Sequence, residues 1–441
     1  MNEQRYVAAI EISSSKIIGA VGKIDSGRRL TILAVEQEEC VDKVRYGIIQ
    51  NLEEVSVRVA RIIDKLNRKP LVAPRSISSV FVGLSGRSLH SVASEVKILF
   101  PEQTEITEAI LNRLREDALT NSALHNVEVV DVIPRKYVVD KMETKSPKGS
   151  IGQSVSAVYD IIVCRRELTQ NLTRTLVDKV GLGIDKFIVT AVAAGNLVLT
   201  EDEKRLGCML VDFGAETTSV SIYRDGSLNY LATLPLGGRN ITRDITSLSV
   251  LEEKAEEIKR TSGRAIRENH STLNVSGIKL SDVSDLVVAR AEEIVTNVIQ
   301  QISYAGLVEK DLTAGIVCIG AGSNLGGMME LLENQSGLTA KMGHLPATID
   351  IADMRAKKLE DIQVVSILAA GANSGDFECL QLPEMDPDEG GYYGQTEYPE
   401  PEDEPEDEPA PRRRGGFMDR VRTGISRIFA PPGDSEESEL D

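Results

Sequence analysis

Residues 7–27, VAAIEISSSKIIGAVGKIDSG, and residues 208–226, CMLVDFGAETTSVSIYRDG, are two copies of one pattern. Each has an apolar strand, an acid near its end (Glu11, Asp212), a loop of small and polar residues, and a second strand. Each closes with a turn carrying Asp and then Gly: Asp25 and Gly27 in the first copy, Asp225 and Gly226 in the second. The two acids lie 201 residues apart. A duplicated β-hairpin at that distance predicts two similarly built lobes facing each other. Working outward, strand-like runs occupy 30–35, 77–82 (ending at Gly83), 127–133, 136–140, 155–164, 229–235 and 316–319. Helix-period runs occupy 52–66, 106–119, 168–180 and 325–334, and helices dominate from Ile241 to Gly306. Thr104 or Thr107 is placed to cap the second of these helices, and Gly181 to close the third. The body is α/β.

The chain has 441 residues, enough for two or three domains, and 41% of them are hydrophobic. The net charge of −18 argues against a nucleic-acid coat. That charge is uneven: Cys379–Asp441 carries −12 and the preceding body only −6. Five scattered cysteines, none spaced C-x-x-C, predict neither a disulfide framework nor a zinc site and fit a reducing cytosol. The start, MNEQRYVAAIEIS, does not read as a signal peptide. No run reaches the roughly 18 apolar residues that span a bilayer.

The repeat also suggests chemistry. A loop of small residues between strands offers backbone N–H groups to phosphate oxygens. An acid at the strand end can hold Mg²⁺ beside them, directly or through water. Each hairpin alone also reads as an ordinary tight turn; the duplication favours a phosphate clamp. GIVCIGAGSNLGGMMELL, residues 315–332, is a buried strand leading through glycines into a helix. Its spacing is not a dinucleotide fingerprint, and alone it also reads as a plain strand–turn–helix corner.

Taken together, these hairpins, the glycine corner and LPLGGRNITRDI (234–245) resemble the actin-like ATPase superfamily. Within it the chain is similar to the FtsA family of bacterial cell-division proteins. The likeness runs through residues 43–64, 80–91, 129–140, 194–223 and 237–245 to the basic segment near the end. It implies a two-lobed α/β fold with the nucleotide between the lobes. The first lobe would comprise 1–83, 168–204 and 347–378, with an inserted subdomain at 84–167. The second would comprise 205–249 and 307–346, with an upper helical subdomain at 250–306.

The resemblance places ATP and Mg²⁺ on named residues. The first phosphate loop falls on Glu11, Ser13, Ser14, Ser15 and Lys16, the second on Asp212, Gly214, Ala215, Glu216, Thr217 and Thr218. Glu11 and Asp212 would hold Mg²⁺ through water. Gly320, Gly322 and Ser323 match the adenosine corner, Gly237 and Gly238 the segment after the second hairpin, and Glu256 and Lys259 helix residues flanking the adenine. Two positions depart from the family pattern. Glu11-Ile12-Ser13-Ser14 replaces Asp-x-Gly-[Ser/Thr], and Glu216 stands where glycine is usual. A longer acid and an added Cβ predict weak or slow hydrolysis, and the Glu216 carboxylate either faces and repels the phosphates or points outward.

Residues 379–411 read as a disordered, self-repelling spacer reaching about 90 Å; within them 382–411 hold 12 acids, no Lys or Arg and seven prolines. The next segment, 412–432, carries +5 between Arg412 and Phe429. On a helix, Phe417, Met418, Val421, Ile425, Ile428 and Phe429 share one face, flanked by Arg420, Arg422 and Arg427. Such a helix suits an anionic membrane surface, and the FtsA likeness implies the same; docking on a protein is the other reading. An acidic tail, 433–441, follows. The likeness further implies self-assembly, contacts with other division proteins, and a location on the cytoplasmic face of the inner membrane at the septum. It also implies capture of the FtsZ C-terminal peptide by the upper helices, through Lys279, Arg290, Glu293 and Asn297. A metabolite kinase or chaperone-like ATPase of the same superfold, or a pilus assembly factor, are the competing classes.

Overall fold

The computed structural model describes residues 5–25, 29–122, 124–267, 274–275, 277–352, 362–375 and 377–382. Of the expected spacer only 379–382 is described, and there Leu380–Gln381 forms a strand paired with Ser76–Ile77 instead of disordered chain; the rest of the spacer and the basic segment beyond it lie outside the described residues.

The chain opens with a meander of β1 (Arg5–Ile12), β2 (Lys16–Ile24) and β3 (Leu30–Glu39). The first two are almost continuously apolar because both faces are covered. A short hairpin, β4 (Val44–Arg45) and β5 (Ile48–Ile49), leads to α1 (Leu52–Asn67). The Asn51 side chain caps α1 at the Glu54 N–H, and Val55, Val59, Ile62 and Leu66 form its buried stripe. β6 (Ser76–Ile77) and β7 (Ser79–Leu84) follow. The strand expected to end at Gly83 runs through it, and α10 described below packs where a Gly83 Cβ would stand, 2.4 Å from Ile367 Cδ1.

An inserted sheet comes next: β8 (His90–Glu105), α2 (Glu108–Asn121), β9 (Glu128–Val139), β10 (Met142–Thr144) and β11 (Ile151–Cys164). Thr107 is the N-cap of α2, although its side chain makes no capping bond. Two features differ from the sequence reading. β8 is a long strand where none was expected; Pro101 within it lies beside a register shift between Gly152 and Ser154 of β11. β9 is one strand, not two. Its ladder shifts at Pro134, so Tyr159 faces Pro134 while Val158 faces Lys136, and Arg135 is bulged out between them.

After the insertion come α3 (Arg166–Thr173), which continues as a π-helical stretch over Arg174–Val180, and β12 (Gly183–Val189). Gly181 ends the stretch in the left-handed region, φ 76°. Then come α4 (Thr190–Val198), α5 (Glu201–Leu206), β13 (Cys208–Phe213), β14 (Thr218–Arg224) and β15 (Ser227–Leu234). The upper helical part is α6 (Gly238–Thr246), α7 (Glu252–Ser262), a small hairpin of β16 (Asn274–Val275) and β17 (Ile278–Lys279), and α8 (Leu280–Tyr304). β18 (Ile316–Ile319), α9 (Met328–Ser336), β19 (Ala340–Met342), β20 (Asp350–Ile351), α10 (Ile362–Ala372) and β21 (Leu380–Gln381) complete the order. α9 starts three residues later than expected because a 3₁₀ turn, Ala321–Asn324, intervenes.

Two sheets carry the body. One has the order β12-β7-β1-β2-β3-β20, the other β10-β9-β11-β8-β15-β14-β13-β18-β19. Within them β12-β7-β1-β2-β3 repeats as β19-β18-β13-β14-β15, with the same parallel and antiparallel neighbours. The duplication legible in one hairpin therefore extends to five strands. α10 packs on β1, β2, β7 and α4, while α4 reaches β14, so these two helices lie between the repeats. Gly195 makes that approach possible, since a Cβ there would sit 2.1 Å from the Tyr223 hydroxyl. The inserted sheet, with α2, has its own core around Val96, Ile106, Leu114 and Val155. It joins the second repeat at β8–β15, through the pair Ala232–His90.

Candidate functional site

The two loops of the repeat share one backbone geometry. Ile12 pairs with Ile17 and Phe213 with Thr218, leaving four residues in each connection. The Ser13 N–H donates to Lys16 O at 3.0 Å and the Gly214 N–H to Thr217 O at 2.9 Å. Every residue of the first loop thus has a counterpart 201 positions on, with Ser13, Ser14, Ser15 and Lys16 answering to Gly214, Ala215, Glu216 and Thr217. The N–H groups of Ser14, Ser15, Ala215 and Thr217 donate to no acceptor among the described residues. Not all side chains remain available: Ser13 Oγ donates to Lys16 O at 2.8 Å, and Thr218 Oγ1 to Leu236 O at 2.8 Å.

The paired acids sit at matched places, Glu11 opposite Ile18 and Asp212 opposite Ser219. Glu11 is buried. Asp212 Oδ1 accepts from Gln363 Nε2 of α10 at 2.9 Å. Burial pushes the Asp212 carboxyl up to about 6, against the opposing pull of that hydrogen bond. Gly320, at φ 83°, fits closely over this acid; a Cβ there would lie 2.3 Å from Asp212 Oδ1. Gly322 abuts Phe213, and Ser323 Oγ donates to Gly320 O at 2.5 Å, fixing the corner.

Glu216 corrects an expectation. Its carboxylate does not stand unpaired among phosphate-binding groups. It is 1% exposed, with Oε1 2.9 Å from Arg243 Nη2 and 3.5 Å from Arg239 Nη1. Its Oε2 accepts the Tyr46 N–H at 2.8 Å. The next N–H, of Gly47, donates to Ser14 Oγ at 3.4 Å. The β4–β5 turn therefore touches both loops, one through each of two consecutive residues. Tyr46 and Gly47 have φ 51° and 84°, the primed-turn conformation of a two-residue hairpin. Gly47 also lies where a Cβ would meet Ser85 O at 2.4 Å.

Gly237 and Gly238 open α6 against the second loop. The Gly238 N–H donates to Gly214 O at 3.0 Å and the Arg239 N–H to Ala215 O at 2.7 Å. Lys259 Nζ has three acceptors: Glu256 Oε2 at 2.5 Å, Thr242 Oγ1 at 2.9 Å and Gly238 O at 3.1 Å. Its three N–H donors are thereby satisfied. Burial lowers the Lys259 ammonium despite the pairing, whereas the donors around Glu256 outweigh its burial and hold its carboxyl low. These two residues brace the second loop from behind.

On the upper helices, Lys279 lies exposed just before α8. Arg290 is not a free cation. Its Nε and Nη2 reach Asp244 Oδ2 and Oδ1 at 2.6 and 3.0 Å, and Nη1 bonds Glu293. Asn297 Nδ2 donates to Glu293 O at 2.8 Å. Charge complementarity resting on Arg290 alone is therefore weaker than its sequence position suggests. The expected membrane-facing residues, Phe417 to Phe429, lie outside the described residues. No helix among the described residues is long and apolar enough to cross a membrane. All five cysteines are free and buried.

Sequence inspection missed Tyr46, Gly47, Arg239, Arg243 and Gln363. Only Tyr46-Gly47 had a local signal, a turn-compatible pair between short β-branched runs. The others meet the site across long stretches of chain.

Two lobes built on one five-stranded pattern, with matched acid-bearing loops converging on a single turn, define the actin-like class. Residues 209–369 match the family described as cell division protein FtsA, and residues 86–163 match the SHS2 domain inserted in FtsA. The cell division protein FtsA of Porphyromonas gingivalis is 30% identical over 345 residues, spanning 75% of this chain and 71% of that protein. That of Bacillus subtilis is 26% identical over 348 residues, spanning 76% and 77%. Among solved structures, the PilM–PilN type IV pilus biogenesis complex shares the fold at TM-score 0.59 and 16% identity, over 83% of this chain and 97% of that one. The chain belongs to the FtsA family of cell-division proteins.

Proposed function

We propose that this protein tethers filaments of the tubulin-like protein FtsZ to the cytoplasmic face of the inner membrane at the division site. The observation that carries the reading is the joint match of body and insertion to one cell-division family, in a chain whose sequence also holds a basic segment of amphipathic pattern at 412–432. The body would bind ATP between its lobes, assemble with further copies in actin-like fashion, and help recruit later division proteins. The upper helical subdomain, 250–306, would capture the acidic C-terminal peptide of FtsZ near Lys279, Glu293 and Asn297, with Arg290 as a shared partner. The segment 412–432 would fold on the membrane, and repeated copies would add avidity.

The cleft residues fit a nucleotide. Unclaimed N–H groups in both loops and the close Gly320 corner suit phosphates and an adenosine. Glu11 and Asp212, at matched ends of the two hairpins, suit Mg²⁺ held through water. With a serine-bearing first loop, hydrolysis would be slow or absent. The deciding experiment is recruitment of purified FtsZ to anionic liposomes by this protein, with and without ATP. Recruitment that needs the protein supports the tether. FtsZ that stays in solution despite membrane-bound protein refutes it.

A further inference from the structure

We propose that Glu216 anchors a clasp between the lobes that governs how fast the cleft admits and releases its ligand. This inference rests on the nucleotide reading for the ligand's identity, but the clasp itself is made wholly of protein groups. Glu216 belongs to the second repeat and the β4–β5 turn to the first, where Val44 and Ile49 are buried in the core of β1 and β2. The Glu216–Tyr46 bond therefore crosses from one lobe to the other, spanning 170 residues of sequence.

Further contacts fix the two ends. Arg239 Nη1 lies 3.5 Å from Glu216 and 3.4 Å from Asp42, which precedes the turn, so one buried guanidinium also spans the lobes. Its Nε lies 3.6 Å from Glu252 of α7. On the other side, Tyr46 O accepts the Arg87 N–H at 3.1 Å, and the guanidinium carbons of Arg45 and Arg87 stand 6.0 and 5.4 Å from the Tyr46 ring centroid. The turn is thus gripped at its N–H, its carbonyl and its ring. Gly47 links it to Ser14 of the first loop at the same time. Opening the lobes must break the charge-assisted bond to Tyr46 and separate Arg239 from Asp42. A glycine at 216 would not offer the first of these contacts.

A clasp of this kind slows entry and exit alike, because both need the same opening. Removing it should therefore raise both rates and leave the equilibrium affinity nearly unchanged. A side chain that merely shapes the site would change dissociation and affinity together. That difference separates a gating role from a structural one.

The test uses the full-length protein, a fluorescent ATP analogue with Mg²⁺, and stopped-flow mixing. Glu216→Gln keeps the shape and one acceptor but removes the charge held by Arg239 and Arg243. Association and dissociation should each rise about tenfold, the effect of losing one charge-assisted bond. Asp42→Asn, at an exposed position that leaves the core untouched, should move both rates the same way by a smaller factor. Amide exchange of the unliganded wild type gives an independent reading, since the clasp requires a protected Tyr46 N–H that becomes labile in Glu216→Gln. If dissociation alone rises, or neither rate moves, or Tyr46 exchanges as fast as an open turn in the wild type, the clasp is wrong. If the analogue does not bind at all, the nucleotide reading fails, while Tyr46 exchange still decides whether the lobes are clasped.

Discussion

Arg290 of α8 closes on Asp244 of α6 through two hydrogen bonds, at 2.6 and 3.0 Å. The pair staples the upper helices together on the face proposed to receive an acidic peptide. Both partners keep about a quarter of their side-chain surface exposed. Arg290→Glu would set two carboxylates face to face and should cost about 1–3 kcal/mol of stability, read from denaturant unfolding. The double variant Arg290→Glu with Asp244→Arg should recover most of that loss. If Arg290 also meets the FtsZ peptide, the double variant will still bind it weakly in a titration. Restored binding would mean that Arg290 acts only within the fold.

A second pair makes a larger demand. The bulge at Arg135 directs its guanidinium onto Asp160 at 2.9 and 2.5 Å, and onto Asn229 O of β15 at 2.6 Å. Asp160 is fully buried. Arg135→Ala strands that carboxylate without a partner and should cost about 3–5 kcal/mol. Arg135→Met combined with Asp160→Leu should recover much of it. Urea unfolding of the three proteins decides the matter, and a single variant as stable as wild type would show that the pair contributes nothing.

Asp212 sets a pH dependence. Its folded pKa of about 6 lies above the ordinary 3.8. The folded state therefore holds this proton more tightly than the unfolded chain. The site costs nothing below about pH 4, and its penalty grows as pH rises through 6. Asp212→Asn removes the penalty, so the variant should gain on wild type across that window. The linkage relation limits the gain to about 3 kcal/mol, less the solvent screening of a partly exposed carboxyl. Melting temperatures of both proteins from pH 4 to 8 should diverge upward; parallel curves would mean an unshifted carboxyl.

The terminal segment predicts its own behaviour. Deleting 415–441 should abolish co-sedimentation with anionic liposomes. Phe429→Glu places a charge on the apolar face and should weaken binding at least about tenfold. Undiminished sedimentation of the truncated protein would transfer the membrane contact to another surface.

The fold was legible where pattern is local. The acid-bearing hairpins announced a duplication because register, loop length and acid position all repeat within 20 residues of chain. β8 escaped notice because its outer face is polar and Pro101 interrupts its run; four residues of β8, 100–103, stand opposite the single Gln153 of β11, so the strand takes the proline in an irregularity of its own. β9 looked broken at Pro134 for a similar reason, since the strand bulges at Arg135 and resumes its ladder with β11 on the other side. In the site, the loops were readable but their restraints were not. Gln363 meets Asp212 across 151 residues and Tyr46 meets Glu216 across 170. Glu216 looked like an intruder among phosphates because its two arginines and its amide donor could not be seen from its neighbours in sequence.

The nine-stranded sheet is continuous in its order of strands but not in its strength. Four of its strands lie on one side and five on the other of a single narrow seam, where β8 meets β15 through the pair Ala232–His90. Around that seam, among the described residues, side-chain hydrogen bonds reinforce the join: Ser91 Oγ with Leu231, and Arg135 with Asn229. Apolar packing carries the rest of the join, since Leu228 and Leu231 of β15 share one core with Ile162 of β11. The inserted sheet is therefore sewn to the second lobe by few hydrogen bonds and glued to it by the core beneath.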